Sequence, residues 1–372
     1  MSVRKRVLAS GEVRWLCGYT DGSGARRFKQ FKTKKEADAF RDKTGVDVRA
    51  GVHTPDSTSI TVLEAGELWL TKSANKGLEP STVRQRRQHL DLHIKPMLGG
   101  VKLSKLTPPM VECFCDKLLE NRSQELASKV LVSLKALLKE ARRRGLVSRN
   151  AASDTKIAKA ARHEDKVRIP AKSEVCGMLE LSTKLWPATR PWRALLVTAM
   201  LTGLRLSELR GLTWTAVDLT TGILRVTQRA DFRGTIGSPK SKAGKRTVPL
   251  MPMARNTLRA WKLACPKTEG DLVFPGGVNG KILRTDDVHR RCWRPLLRSL
   301  GLEDSDEPRY TFHSLRHVAA SLMIESGMQP KKLQAIMGHS SIKLTYDVYG
   351  HLWASAEDDA AAMEQAEKRL FS

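Results

Sequence analysis

Thr202-Gly203-Leu204-Arg205-Leu206-Ser207-Glu208-Leu209 closes a strongly apolar stretch that begins at Trp192, and well downstream the chain reads His313-Ser314-Leu315-Arg316-His317. The run from 192 to 204 contains Arg193 and is too short to cross a bilayer, so it reads as a buried helix that turns at Gly203. An arginine directly after such a helix is a poor core residue unless its charge has a partner. One partner is local, because Glu208 stands three residues on and pairs readily with Arg205 in a helix. The other is an external anion. If the second stretch is helical, His313, Arg316 and His317 share a face at spacings of three and four. A His-x-x-x-His pair is also a metal pattern, but the glutamate base of HExxH is absent and Arg316 repels a cation placed between the rings. A planar guanidinium flanked by two imidazoles suits an anion better.

Two further segments join these. Met337-Gly338-His339-Ser340-Ser341-Ile342 is followed, after a short helical stretch, by Tyr349-Gly350-His351. A lone tyrosine is normally a core or surface aromatic. Ser238-Pro239-Lys240-Ser241-Lys242-Ala243-Gly244-Lys245-Arg246 reads as a basic turn between strands at Ile223–Thr227 and Arg246–Leu250, by itself an ordinary charged hairpin tip. In order and together, TGLRLSEL, SPKSKAGKRTVPL, HSLRH, MGHSSI and YDVYGH resemble the motif set of the tyrosine recombinase (phage integrase) family. The resemblance covers nearly the whole chain and is most specific between Thr202 and His351. It implies that Arg205 and Arg316 clamp a DNA phosphate, with His313 and His339 as flanking histidines and Lys240 as the hairpin lysine. Tyr349 would be the nucleophile, in preference to Tyr346, because it precedes Gly-His. Lys242, two residues from Lys240, is the alternative lysine, to be decided by strand register. Met337 stands where the family usually has Leu, a harmless packing change.

The chemistry the resemblance implies is phosphoester exchange. Two arginines neutralise the non-bridging oxygens of the pentacoordinate transition state. The histidines donate to those oxygens and assist proton transfer at Tyr349, whose phenol needs help near neutral pH. Lys240 protonates the departing 5′ oxygen, leaving a 3′-phosphotyrosine and a free 5′-hydroxyl that a partner strand's hydroxyl reverses. Neither a metal nor ATP nor any other cofactor is required. There is no P-loop, and Glu357-Asp358-Asp359 lies beyond the tyrosine on what reads as a tail helix, Ser355 to Leu370. The family analogy docks that helix on a neighbouring protomer.

Composition agrees. The chain of 372 residues carries 65 Lys+Arg against 39 Asp+Glu, a net charge of +26 spread along its length, which points to a polyanionic partner such as nucleic acid. Its length suits two or three domains. The six cysteines include no CxxC pair, so reduced thiols in a cytoplasmic protein are expected, with Cys113 and Cys115 as packing residues. Met1 to Arg6 is basic without an apolar core, so it is not a secretory signal, and no segment belongs in a membrane.

The expected fold class is α+β and multidomain. Residues 1–55 form a small basic unit with strands at Val13–Tyr19 and Arg26–Phe31 and a capped helix from Thr33 to Phe40; by resemblance this is an arm-site DNA-binding domain. Residues 60–150 read as all-helical; by resemblance this is a core-site DNA-binding domain. The segment from Ser81 to Leu92 carries Arg84, Arg86 and Arg87 beside a hydrophobic stripe. The helix over Ser123–Arg144 carries Leu126, Val130, Leu134, Leu137 and Leu138 on one face and ends in Arg142–Arg144, a run that is either a phosphate contact or merely solvated. Residues 151–168 read as an extended linker. Residues 169–372 form a mostly helical catalytic domain with a small β-sheet. The implied partners are double-stranded DNA attachment sites and a homotetramer assembled on them, with a DNA-bending protein and an excision factor by analogy. The rival readings are a DNA-binding regulator without catalysis, which would have no need of a nucleophile beside two arginines; a type IB topoisomerase, which shares this chemistry but not the arm-like N-terminal unit; and a metal hydrolase using His313 and His317.

Overall fold

A computed structural model describes residues 1–353 except 22–23, 51–52, 54, 57, 159–167, 269, 277–279 and 305–306. The chain divides into two compact units, 1–163 and 164–372. The first opens with β1 (Ser2–Val7), β2 (Val13–Thr20) and β3 (Arg26–Phe31), an antiparallel sheet in that order, followed by α1 (Lys34–Arg49). Two strands fall where alternation places them. The basic start of the chain, which carries no strand signal in the sequence, is a strand through its pairing with β2, from Ser2↔Gly18 to Val7↔Val13, although its side chains are almost all exposed. Thr33 and Glu36 close the expected capping box, but α1 runs to Arg49, well beyond Phe40. In its second half Thr44 is the one fully buried residue and the others are exposed or partly exposed, so no apolar period announces it. Cys17, Tyr19 and Ala37 form the modest buried centre, as a unit of this size allows.

The helices α2 (Val62–Asn75), α3 (Pro80–His89), α4 (Lys95–Leu98), α5 (Pro108–Asn121) and α6 (Gln124–Arg143) follow, with α3 joined to α4 by a wider helical turn at Leu90–Ile94. Thr61 caps α2 through the expected box with Glu64. Trp69, Leu90, Ile94 and Phe114 pack with Val130, Leu134, Leu137 and Leu138 of α6, while Leu126 is only partly buried. Arginines of this unit, two of the 142–144 run among them, have partners inside it. Arg143 and Arg144 bond Glu140, as does Lys72; Arg87 pairs with Glu67; Arg86 donates to Ser73 Oγ and lies over the Trp69 ring. A carboxylate within three or four residues, or on the facing helix, satisfies these charges before DNA arrives. Cys115 is buried as expected, whereas Cys113 is exposed: residues two apart on a helix do not share a face. The stretch after 150 is not simply extended. Ala151, Ala152 and Thr155 are buried, and Asn150 holds the turn through Lys135 O and the Ala152 amide. Residues 159–167 of the expected linker lie outside the described residues.

The second unit begins with α7 (Lys172–Leu185), α8 (Trp192–Thr202) and α9 (Leu206–Arg210). Strands β4 (Val217–Asp218) and β5 (Ile223–Val226), a hairpin of β6 (Arg229–Ala230) with β7 (Ile236–Gly237), and β8 (Arg246–Pro249) come next. Helix α10 (Pro252–Ala264) leads to short elements β9 (Pro275–Gly276), β10 (Lys281–Ile282), α11 (Thr285–Val288), α12 (Arg294–Ser299), β11 (Glu303–Asp304) and β12 (Glu307–Pro308). The unit ends in α13 (Ser314–Glu325), α14 (Pro330–Met337) and α15 (Ile342–Tyr349). Helix α8 is buried at every residue but Arg193, as its apolar run requires, and packs between α10 and α13. β4, β5 and β8 form the expected small antiparallel sheet. The basic turn differs from a simple hairpin tip: β5 and β8 pair, but the chain between them builds the β6–β7 hairpin and a helical turn at Lys242–Gly244. The expected tail helix, 355–370, lies outside the described residues.

Candidate active site

Gly203 ends α8 with φ 66°, a left-handed conformation that favours glycine. A Cβ at this position would stand 2.8 Å from Met337 Sδ. The chain turns there and Arg205 becomes the N-cap of α9. The local pairing anticipated for Arg205 is present: its Nη1 donates to Glu208 Oε1 at 2.9 Å and its amide to Oε2 at 2.9 Å. Its Nη2 reaches across the fold to Gly338 O at 3.1 Å. The half-buried guanidinium is therefore held at both ends and retains N–H donors for an anion.

Arg316 lies on α13 and is 3% exposed. Its Nη1 donates to Gly203 O at 2.5 Å and its Nη2 to Met337 O. It thus ties the turn before Arg205 to the end of α14. Burial, with Arg205 and Arg246 nearby, pulls its pKa down to about 9. Gly338 then turns the chain at φ 65°, where a side chain would stand 2.9 Å from Ala243 O. His339 follows, buried, with Nδ1 paired to Thr345 Oγ1 at 2.9 Å. Ser341 caps α15 through the Leu344 amide, and Thr345 and Tyr349, four residues apart, both face inward.

Tyr349 is 1% exposed. Its hydroxyl lies 2.8 Å from His317 Nδ1, and its ring stacks beside that of His339, 6.2 Å between centroids at 14°. Burial pushes its phenol up to about 12, against the opposing pull of Arg316 and Arg205. Tyr346 points elsewhere: it is exposed and lies against Trp353. Arg205, Arg316, His339 and Tyr349 meet in one cluster, and His313 borders it, exposed, with its ring 5.2 Å from that of His317. Met337 is buried packing, as expected.

Lys240 and Lys242 are both exposed. Neither lies on a strand, since β7 ends at Gly237 and β8 begins at Arg246, so register does not distinguish them. The helical turn bearing Lys242 abuts Gly338, which brings the loop to the edge of the cluster. Among the described residues no group of His, Cys, Asp and Glu is placed to hold a metal ion, and no helix is long and apolar enough to cross a membrane.

Two residues of this cluster make contacts that no motif announces. His317, which its spacing marks as one of two imidazole donors to an anion, contacts Tyr349 across 32 residues of chain. Arg246, read as the end of a charged turn, is buried and bidentate on Glu208, with Nη1–Oε1 3.0 Å and Nη2–Oε2 2.8 Å. Burial pushes the Glu208 carboxyl up, but Arg246 and the Arg205 amide outweigh it and hold its pKa at about 2.

These groups predict the response to acid. Burial, reinforced by His313 and Arg316, lowers His317 to about 4; burial and the neighbouring arginines lower His339 to about 3. The unfolded chain takes up these protons first, so their contribution to stability is complete above the ordinary histidine range near 6.5 and falls as pH drops toward 4 and 3. Glu208 adds stability that is complete above about 4.5 and is lost as pH falls toward 2. The melting temperature is expected to decline steadily from pH 7 to pH 4; a rise below pH 6 would mean that the histidines gain a charge partner on folding.

Comparison with known proteins is consistent with this arrangement. The phage integrase family profile matches residues 172–355, and the phage integrase central domain profile matches residues 64–158. A XerC-like tyrosine recombinase from Caldanaerobacter subterraneus subsp. tengcongensis is 29% identical over 360 residues, covering 89% of this chain and 90% of its own length. Among solved structures, the Tn1549 transposon integrase in complex with a circular intermediate DNA shares the fold with a TM-score of 0.68 at 22% identity, over 83% of this chain and 100% of that one. The lambda integrase tetramer bound to a Holliday junction does so with a TM-score of 0.60 at 18% identity, over 92% and 96%. The chain belongs to the phage integrase family of tyrosine recombinases.

Proposed function

We propose that this recombinase cuts and rejoins double-stranded DNA at the attachment sites of a mobile element through a 3′-phosphotyrosine at Tyr349. The observation that carries the assignment is the Tyr349 hydroxyl buried beside Arg316 and His339 on elements that also anchor Arg205. A phosphodiester repels nucleophiles through its own charge. Arg205 and Arg316, already fixed by backbone carbonyls, meet the non-bridging oxygens without reorganising. His313 and His339 donate to the same oxygens, and Lys240, with Lys242 as its neighbour on the loop, protonates the leaving 5′ oxygen.

In this reading residues 1–55 bind arm-type DNA sites, 60–150 bind the core site, and 151–168 link that helical unit to residues 169–372, which carry out catalysis. Weak contacts at two kinds of site then reinforce one another. The Tn1549 and lambda integrases were solved on recombination DNA, the latter as a tetramer, and we assign this chain a homotetramer on its own DNA. A DNA-bending protein and an excision factor complete the assembly, which works in the host cytoplasm on the nucleoid.

The test is to mix the protein with duplexes spanning the DNA that flanks its gene, nicked near the exchange point to trap the intermediate, and quench with SDS. A covalent adduct with a free 5′-hydroxyl, formed equally in EDTA, is expected. Tight binding without an adduct would support a non-catalytic DNA-binding protein.

A further inference from the structure

A phenol held at about 12 by burial needs a proton acceptor when it attacks, because neutral water removes almost none of that proton. The motif pattern offers His313 and His339 for this duty. The hydrogen bonds distribute it differently. His339 uses Nδ1 for Thr345 Oγ1 and lies nearly parallel to the tyrosine ring, a stacked geometry that does not aim a nitrogen at the hydroxyl. His313 sits exposed at the start of α13, edge-on to His317. Among the described hydrogen bonds, the Tyr349 hydroxyl is paired with His317 Nδ1 at 2.8 Å.

We infer that His317 is a further catalytic residue, whose Nδ1 accepts the Tyr349 proton as the phenolic oxygen attacks phosphorus and returns it when the phosphotyrosine is broken. The inference rests on Tyr349 being the nucleophile. Position explains how α13 serves two purposes. Consecutive helical residues point about 100° apart, so Arg316 turns inward to the carbonyls of Gly203 and Met337 while His317 faces α15. The charged and titratable groups around His317 are His313 and Arg316 on its own helix, Tyr349 on α15 and His339 on the turn before it. Burial and its cationic neighbours keep the ring neutral near pH 7, and a neutral imidazole with its proton on Nε2 presents an acceptor at Nδ1. An incoming phosphate adds negative charge nearby and makes the ring a better base as the reaction proceeds.

The step balances. The Tyr349 O–H bond breaks with its electron pair left on oxygen, and the proton moves to Nδ1. That oxygen forms the new bond to phosphorus. The bond from phosphorus to the 5′ oxygen breaks with its pair on the 5′ oxygen, which takes a proton from the loop lysine. In rejoining, the incoming 5′-hydroxyl gives its proton to that lysine, and the departing tyrosine recovers its own from His317.

The test uses the full chain and the nicked trapping duplex. His317→Asn keeps a polar group near the position of Nδ1 but cannot take up a proton. It is expected to slow adduct formation by roughly 10²- to 10⁴-fold, the usual range for a general base, with DNA affinity unchanged. Most of that loss should disappear when difluorotyrosine, a more acidic phenol, occupies position 349. His317→Ala should regain adduct formation when imidazole is added, a recovery that a damaged fold would not show. An adduct that forms at the wild-type rate in His317→Asn, yet is absent in Tyr349→Phe, overturns this inference alone. Equal losses with both tyrosines, or no response to imidazole, assign the contact a structural role. An adduct that persists in Tyr349→Phe removes the nucleophile assignment and this inference together.

Discussion

Tyr349→Phe is expected to leave a folded, DNA-binding protein that forms no covalent adduct. The substitution removes a single oxygen from a ring that is 1% exposed, so packing around α15 is preserved. The lost hydrogen bond to His317 costs about 1 kcal/mol, which lowers the melting temperature by only a few degrees. Cleavage, in contrast, loses its nucleophile, a change that in enzymes of this kind of covalent chemistry lowers turnover by at least about 10⁴-fold. Tyr346→Phe is the control. That side chain is 52% exposed and rests on Trp353, so adduct yield and melting temperature should both match the wild type. The comparison is read from SDS-stable adducts at equal DNA occupancy. A Tyr349→Phe protein that still became linked to DNA would show that another group attacks.

Glu208→Ala is expected to have the largest effect on stability. Glu208 and the Arg246 side chain are 3% and 4% exposed and share two hydrogen bonds. Arg246 also donates to Ile336 O at 2.6 Å and Gly244 O at 3.1 Å, so one ion pair joins the Arg205 turn, the lysine loop and the end of α14. Removing the carboxylate leaves a buried guanidinium uncompensated, at a cost of about 3–5 kcal/mol, or roughly 10 °C in melting temperature for a unit of this size. Glu208→Leu combined with Arg246→Met should recover much of that stability, because a buried pair replaced by apolar groups of similar volume is often neutral. It should not recover cleavage, since Arg205 would still lack the carboxylate that sets its Nη1 and amide. A double variant both stable and fully active would show that Glu208 does not orient Arg205.

The local features were the legible ones. Both capping boxes, Thr33 with Glu36 and Thr61 with Glu64, occur as read, because a cap is a contract between residues three apart. The inward stripe of α6 and the burial of α8 at all but Arg193 follow from hydrophobic period and run length. Misses came where exposure or a distant partner decided: β1 exists through its pairing with β2, the second half of α1 has almost no apolar face, and Glu140 gathers Lys72, Arg143 and Arg144, taking two arginines of the run offered to phosphate.

The same division runs through the active site. Sequence by itself determined which residue types the catalytic unit carries, their order, the glycine turns after which Arg205 and His339 follow, and the spacing that sets His313, Arg316 and His317 on one helix. Tertiary structure alone decided that His317 holds the hydroxyl of Tyr349, the tyrosine that the Gly-His motif already favours over Tyr346, and that Arg246 joins Glu208 across 38 residues. These contacts depend on how α13, α14 and α15 are rotated against one another. That rotation is set by close packing of the whole core, to which every buried side chain contributes and which no short motif encodes.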